Sequence, residues 1–308
     1  MKNLLMVRSA AILLAVIGFA LTACEPAKSD PGKKDMSEFF KIGHRGTRGL
    51  MPENTIPAMK RALSEGANTI EVDVHVTKDK KVIVYHDASF NPAYTTMPDG
   101  SEIPKEKRKD YIFYQNNYDD LRKFVIGMKE YPDFPQQQRM ASYAPLLSEL
   151  IDSVEAYTKE KSLPDAYYLV EIKSGEKSDG VEQPAPEAFM KLLMDVLEPM
   201  NLGKRLYVQS FDMRPLQVLH KTHPGLQLGF LTGDITASFE ENIKKLGFNP
   251  TLYNPHYKLV TEELVEKCHS GNMLIEPWTV NTIEEMKKMK AMDVDGIITD
   301  YPNLFRQL

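Results

Sequence analysis

Thr69-Ile-Glu-Val-Asp-Val-His-Val76, the turn Thr77-Lys-Asp-Lys-Lys81 and the return Val82-Ile-Val-Tyr-His86 decide the architecture of this 308-residue chain. Side chains alternate in direction along a strand. Ile70, Val72, Val74 and Val76 therefore share one face, and Glu71, Asp73 and His75 share the other. The link from Thr77 to Lys81 is too short for a parallel crossover, which takes about a dozen residues. The two runs are expected as an antiparallel hairpin. With Thr77 opposite Val82 across a four-residue loop, His75 falls opposite Val84 and Asp73 opposite His86. The hairpin is then an excursion that returns His86 to Asp73.

Seven more apolar runs read as strands, at residues 40–43, 167–172, 206–208, 226–230, 251–253, 273–275 and 296–298, and helical patterns fit between most of them. Residues 55–65 carry Ile56, Met59, Ala62 and Leu63 at helical spacing, and Gly66 follows as a stop. Thr282-Ile-Glu-Glu285 is a capping-box pattern opening the last full helix. Such alternation points to an α/β fold. With the return run of the hairpin set aside, eight parallel strands remain, and the expected architecture is a (β/α)8 TIM barrel. About eighty residues separate His86 from Tyr167, far more than an ordinary barrel loop. Residues 88–143 are expected as an insertion after the His86-Asp87 strand, over the barrel mouth, with the scaffold resuming at a helix near Leu146. The basic run Lys105-Glu-Lys-Arg-Lys-Asp110 within it reads as solvated surface.

The chain is 42% hydrophobic and 26% charged, which excludes disordered, collagen-like and disulfide-scaffold classes. A net charge of −5 argues against nucleic-acid binding, and two cysteines cannot build a disulfide framework. The N-terminus differs from the rest. Lys2 and Arg8 accompany an uncharged apolar run over residues 10–20, too short to span a bilayer but of the length of a signal-peptide core. It ends in Leu21-Thr22-Ala23-Cys24, which resembles a bacterial lipoprotein signal, where cleavage precedes the cysteine and its thiol takes a lipid. A plain secretory signal and a helix anchor are the alternatives. The expected organisation is a signal peptide over 1–23, a lipidated Cys24 with a flexible tether through residue 37, and the barrel over 38–308. The tether's thirteen residues reach roughly 20 Å. The domain is then exported and held at a membrane of the bacterial cell envelope, and Cys268 is expected as a buried small hydrophobe.

The familiar Gly-rich dinucleotide and P-loop patterns, Gly-x-Ser-x-Gly and His-Glu-x-x-His are absent from the sequence. Polar residues instead cluster at the predicted C-terminal ends of strands, the face that carries the active site in barrel enzymes. Glu71 and Asp73 point toward the barrel interior, where two carboxylates need a compensating cation, and a hard divalent ion bound by oxygen suits them. Glu171 and Lys173 share a face at the end of another strand, where a structural salt bridge competes with a functional reading. The first strand ends in Gly43-His44-Arg45-Gly46. Histidine titrates near neutrality and suits proton transfer, and arginine offers a fork for phosphate.

His44-Arg-Gly46, Pro52-Glu-Asn-Thr55, Glu71-Val-Asp73, His86-Asp87, Glu171-Ile-Lys173, Gln209-Ser-Phe211, Trp278-Thr-Val-Asn281 and Gly296-Ile-Ile-Thr-Asp-Tyr-Pro302 together resemble the glycerophosphodiester phosphodiesterase family. The resemblance runs in order across the mature domain. It implies metal-dependent hydrolysis of small-molecule glycerophosphodiesters to glycerol 3-phosphate and an alcohol. It further implies one divalent cation, Ca²⁺ or Mg²⁺, on Glu71, Asp73 and Glu171, and a general acid/base pair in His44 and His86. Arg45 and Lys173 neutralise the phosphate on this reading, and Trp278 and Phe211 wall the glycerol. The attacker is either water or the substrate's own glycerol hydroxyl, the latter giving a cyclic phosphate that water opens. Two departures stand out: the turn at Lys78–Lys81 lacks the usual glycine, and the insertion has no residue-by-residue match.

His75 lies one strand step beyond Asp73 and is expected to be structural. His220, His223 and His269 sit near predicted helix ends and read as surface, and His256 as a candidate for the mouth. The nearest alternative is a related barrel phosphodiesterase acting on lysophospholipids or phosphoinositides. A degenerate, surface-anchored binding barrel predicts a lost catalytic or metal residue, and none is missing. A glycosidase has no use for two histidines and an arginine at the strand ends.

Overall fold

The computed structural model describes residues 39–308. The expected signal peptide, Cys24 and tether fall outside those residues. In chain order the strands are β1 (Phe40–Gly43), β2 (Thr69–Val76), β3 (Val82–Val84), β4 (Thr95–Thr96), β5 (Val125–Ile126), β6 (Tyr167–Ile172), β7 (Leu206–Ser210), β8 (Gln227–Thr232), β9 (Leu252–Pro255), β10 (Leu274–Ile275) and β11 (Gly296–Thr299). The helices are α1 (Ile56–Ser64), α2 (Tyr118–Leu121), α3 (Leu147–Lys161), α4 (Pro186–Leu197), α5 (Met213–Thr222), α6 (Phe239–Leu246), α7 (Glu262–Ser270) and α8 (Ile283–Ala291). Eight parallel strands run in the order β10-β9-β8-β7-β6-β2-β1-β11. The seam between β10 and β11 carries backbone hydrogen bonds from Asp295 to Ile275 (3.0 Å) and from Ile298 to Pro277 (3.0 Å). This nearly closed ring, with a helix after most strands, is the (β/α)8 barrel that the sequence predicts.

Alternation along β2 sorts its side chains as expected. Ile70, Val72 and Val74 pack outward in one core with Met59, Ala62 and Leu63 of α1 and Leu150, Ile151 and Val154 of α3. A second, smaller core fills the barrel interior with Phe40, Ile42, Leu169, Tyr207, Leu252, Leu274 and Ile298. Leu169, Tyr207 and Leu252 each precede a strand-end polar residue by one step on the same face: Glu171, Gln209 and Asn254. The apolar layer therefore forms the floor on which the polar end of the barrel is built.

Local signals match the ends of helices. Thr55 caps α1 and Gly66 follows it with φ +101°. At α8, Thr282 accepts from the Glu285 N–H at 3.2 Å, but the Glu285 carboxylate takes the Thr282 hydroxyl instead of its backbone N–H, so only half the expected capping box forms. The reciprocal pair occurs at Ser238 and Glu241 on α6.

The hairpin register differs from the expected one by a residue. Val76 pairs with Val82, His75 with Ile83 and Val74 with Val84. Lys80 adopts a left-handed φ of +61°, the role a glycine usually fills, so Thr77 closes on Lys81 across three residues, not four. Thr77 also donates its hydroxyl to Asp79 at 2.7 Å, which holds the turn. Tyr85, not His86, therefore lies beside Asp73, its N–H bonded to the Asp73 carbonyl at 3.0 Å.

Residues 88–143 build their own core of Phe90, Tyr94, Phe113, Leu121, Phe124 and Ile126 on Ile83 and Tyr85 of the hairpin. Their short strands β4 and β5 pair antiparallel. One residue of the basic run departs from the expectation of solvated surface: Arg108 reaches Asp87 at 2.6 Å and Ser89 at 3.2 Å.

Candidate active site

Parallel register places the acidic cluster. Asp73 on β2 lies level with Glu171 on β6, and Glu171 with Gln209 on β7. Glu71 lies one step lower on the same face. Carboxylate oxygens of Glu71, Asp73 and Glu171 come within 4.8 Å of one another, and all three residues are buried. Glu71 and Asp73 thus point into the barrel, as the alternation along β2 predicts.

The turn after β1 closes over this cluster. A Cβ on Gly43 would meet the Gly46 carbonyl at 2.1 Å, and Gly46 sits at φ +81° against α1. Only glycines fit such an approach. Arg45 between them takes φ +48°, and its backbone N–H donates to Glu71 Oε2 at 2.7 Å. Its guanidinium donates to Glu53 at 2.7 Å and stands 3.3 Å from Asp73. Asn54, also left-handed, donates its amide to Asp73 Oδ2 at 2.7 Å. Three residues of Pro52-Glu-Asn-Thr55 thus fix neighbours: Glu53 binds Arg45 and Arg48, Asn54 binds Asp73, and Thr55 caps α1. The insertion braces the same turn, since the Tyr94 hydroxyl donates to Glu53 at 3.2 Å and Arg48 donates to Tyr131 at 2.9 Å.

The electrostatics of the cluster are unbalanced. Lys173 lies 3.0 Å from Asp73 and 2.5 Å from Glu171. Burial pushes the Glu71 carboxyl well up, and the like charges of Asp73 and Glu171 push it further. Glu171 is raised chiefly by burial. For Asp73 burial acts upward too, but Lys173 and Arg45 outweigh it and hold the carboxyl well below its ordinary range. Glu71 Oε1 is buried with no partner, while Asp73 Oδ1 and Glu171 Oε1, also buried, are met only by the Lys173 ammonium. Three buried carboxylates facing two cations, once Glu53 is matched with Arg48, with one Glu71 oxygen left unpartnered, form a donor set suited to a hard divalent ion.

Above the cluster opens a pocket of about 270 Å³ lined by His44, Arg45, Glu71, His86, Lys173, Gln209, Phe211 and Trp278, among others. Both histidines are oriented by carboxylates. His44 donates from Nδ1 to Asp300 at 2.6 Å, and Asp300 is in turn held by the Asn281 amide at 2.7 Å. His86 donates from Nδ1 to Asp87 at 2.7 Å. A carboxylate can only accept, so each Nδ1 carries the hydrogen and each Nε2 is left free for proton exchange. Burial lowers the pKa of His44 despite the opposing charge of Asp300. Trp278 and Phe211 meet edge to face at 5.3 Å on the pocket wall.

Every residue singled out for chemistry between His44 and Trp278 thus falls in or directly against this pocket. Glu53, Asp87, Asn281 and Asp300 carry no role on sequence grounds, although all stand inside the motifs quoted above. Their signal was adjacency to a marked residue, and nothing in sequence separates a supporting carboxylate from a solvent-facing one. His256 packs edge-on against Trp278, 5.1 Å between centroids, and lies outside the pocket lining. His220 stacks on Phe248, and His223 and His269 pair with Glu198 and Asp295. Cys268 is fully buried.

His75 is structural. Its Nε2 donates to the His86 carbonyl at 3.0 Å, its Nδ1 is buried without a partner, and burial brings its pKa down to about 4. The folded state refuses a proton that the unfolded chain binds below its ordinary value of about 6.5. The stability held above pH 6.5 is therefore lost progressively as pH falls from 6.5 toward 4, by about 3 kcal/mol in total. His75→Gln, which keeps a donor for His86, is expected to flatten this part of the acid limb in urea titrations. An unchanged slope would place the acid sensitivity elsewhere.

The barrel and its strand-end pocket define an enzyme, a phosphoric diester hydrolase built on a (β/α)8 scaffold. The chain belongs to the glycerophosphoryl diester phosphodiesterase family, whose sequence model matches residues 44–304. It is 31% identical over 272 residues to the glycerophosphodiester phosphodiesterase of Bacillus altitudinis, covering 87% of this chain and 96% of that one. Among solved structures, a Silicibacter pomeroyi DSS-3 protein superposes with a TM-score of 0.77 at 27% identity, over 88% of this chain and 94% of that one. An Oleispira antarctica phosphodiesterase, solved with the product sn-glycerol-3-phosphate, shares the fold with a TM-score of 0.67 at 20% identity, over 86% of this chain and 94% of that one.

Proposed function

We propose that this chain hydrolyses glycerophosphodiesters to glycerol 3-phosphate and an alcohol, with His44 and His86 as the proton-transfer pair and one divalent cation held by Glu71, Asp73 and Glu171. The observation that carries the reading is the pair of histidines, each fixed through Nδ1 by its own carboxylate, on a pocket that also holds Arg45 and Lys173. Charge supports it. A divalent cation turns the local balance of three carboxylates and two cations into one net positive charge, the complement of a phosphodiester anion. Bound there, such an ion polarises the phosphoryl group. Ca²⁺ and Mg²⁺ both suit an all-carboxylate donor set.

Burial keeps the resting His44 imidazole neutral, the state a base requires. On this reading His44 accepts the proton of the attacking oxygen as the new P–O bond forms. His86 delivers a proton to the departing alkoxide as the old P–O bond breaks. Arg45 and Lys173 orient the phosphoryl oxygens, and Trp278 with Phe211 packs against the glycerol carbons. The product that the Oleispira enzyme holds is the one this reaction releases. The Leu21-Thr-Ala-Cys24 motif adds an exported, lipid-anchored location in the cell envelope.

The test is glycerol 3-phosphate release from glycerophosphodiesters with choline, ethanolamine, glycerol and inositol head groups, beside a lysophospholipid. Release from at least one glycerophosphodiester is expected. Turnover of the lysophospholipid alone would replace this reading with the lipid-substrate alternative. Fractionated cells expressing wild type and Cys24→Ala read the location: wild-type activity sediments with membranes and the variant's does not. Equal partitioning of the two removes the anchor.

A further inference from the structure

We infer that Arg108, from the insertion, is a positioning residue for His86, acting through Asp87. This rests on the proposed role of His86 in proton transfer.

The Asp87 carboxylate divides its oxygens. Oδ1 accepts from His86 Nδ1 at 2.7 Å, while Oδ2 accepts from the Arg108 guanidinium at 2.6 Å and the Asn91 amide at 3.0 Å. A carboxylate on a short side chain rotates freely unless its outer oxygen is held. Here two donors hold it, and the inner oxygen is left aimed at the imidazole. Arg108 is itself fixed by a second bond, from Nε to Ser89 at 3.2 Å. The chain of contacts thus runs from Arg108 to Asp87 to the ring whose Nε2 is free at the pocket.

The other histidine shows what is particular here. The outer oxygen of Asp300 is held by the Asn281 amide, and Asn281 belongs to the barrel itself, between β10 and α8. The His44 dyad therefore needs nothing from outside the scaffold. The His86 dyad takes its one charged clamp from residues 105–111, a short 3-10 helical segment within the insertion. Asp87 and Arg108 are both partly exposed, so the clamp is accessible to solvent and sensitive to how the insertion sits. In a run of six residues with four bases, only Arg108 makes this contact, and its geometry with a carboxylate suits a guanidinium better than an ammonium.

A positioning role predicts a particular kinetic signature on the best glycerophosphodiester of the panel above. Arg108→Ala is expected to lower kcat about tenfold with KM within about twofold, since the contact aligns a proton donor and does not touch substrate. Arg108→Lys is expected to recover part of the rate, and millimolar guanidinium to recover part of it in Arg108→Ala. In an Asp87→Asn background, Arg108→Ala is expected to add nothing, because the two act as one unit. A full additional loss in that background, a rise in KM at constant kcat, or wild-type kinetics in Arg108→Ala would each overturn the inference. His86→Ala run alongside separates the two levels. Wild-type turnover there removes His86 from the mechanism and this inference with it. A large loss there, with no effect at Arg108, overturns the positioning role alone.

Discussion

His86→Ala is expected to lower kcat on glycerophosphodiesters with ordinary alcohol leaving groups by about 10²- to 10⁴-fold, the usual range for a lost general acid or base. A substrate that releases p-nitrophenol is expected to lose far less, because that leaving group departs without protonation. His44→Ala is expected to lose activity on both, since the attacking oxygen must shed its proton whichever group leaves. The asymmetry follows from the two environments. His44 is the less exposed of the two, and burial lowers its pKa. His86 lies at the edge where the hairpin passes into the insertion, and its ring is more exposed than that of His44. Steady-state kinetics of the two variants on the two substrates form a four-way comparison. Wild-type turnover in either variant removes that residue from the mechanism, and a reversed pattern exchanges acid for base.

Dialysis against EDTA is expected to abolish turnover, and Ca²⁺, Mg²⁺ or Mn²⁺ to restore it. The readout independent of activity is thermal. A ligand present at a hundred times its dissociation constant stabilises the native state by about 2.7 kcal/mol, which raises the melting temperature by several degrees. Glu71→Gln is expected to lose most of that rise. Without the cation the same variant is expected to be at least as stable as wild type. It deletes the carboxylate that burial and two like charges oppose most, while glutamine can still accept the hydrogen bond from the Arg45 backbone. Chelation without effect on rate or melting temperature would sink the metal assignment.

Much of the architecture was written in periodicity. Two-residue alternation in Thr69–Val76 separated the outward valines from the inward acids. The shortness of the Thr77–Lys81 link required a hairpin. Strand-end placement then collects His44, Glu71, Asp73, Glu171 and Lys173 from the sequence alone. The register slip at Lys80 was not legible, because a left-handed lysine leaves no compositional mark. Asp87, Asp300 and Glu53 stood in plain view but without roles. A carboxylate's work depends on which donor reaches it, and the donors of Asp300 lie 256 and 19 residues away in sequence. The sequence marks Arg108 only as part of a solvated basic run for the same reason: such a run looks alike whether or not one of its members reaches an aspartate.

Local chemistry along the chain therefore decided the fold class, the strand faces and the residue types of the pocket. Those depend on steric alternation and the burial of apolar side chains, which act over a few residues at a time. Closure of the barrel decided the rest. It set Asp73 level with Glu171, folded the β1 turn so that a backbone N–H meets Glu71, and brought Asp300 to His44. Hydrogen bonds of under 3 Å tolerate little error in position, and only the assembled strands and the packed insertion bring such distant residues to that distance.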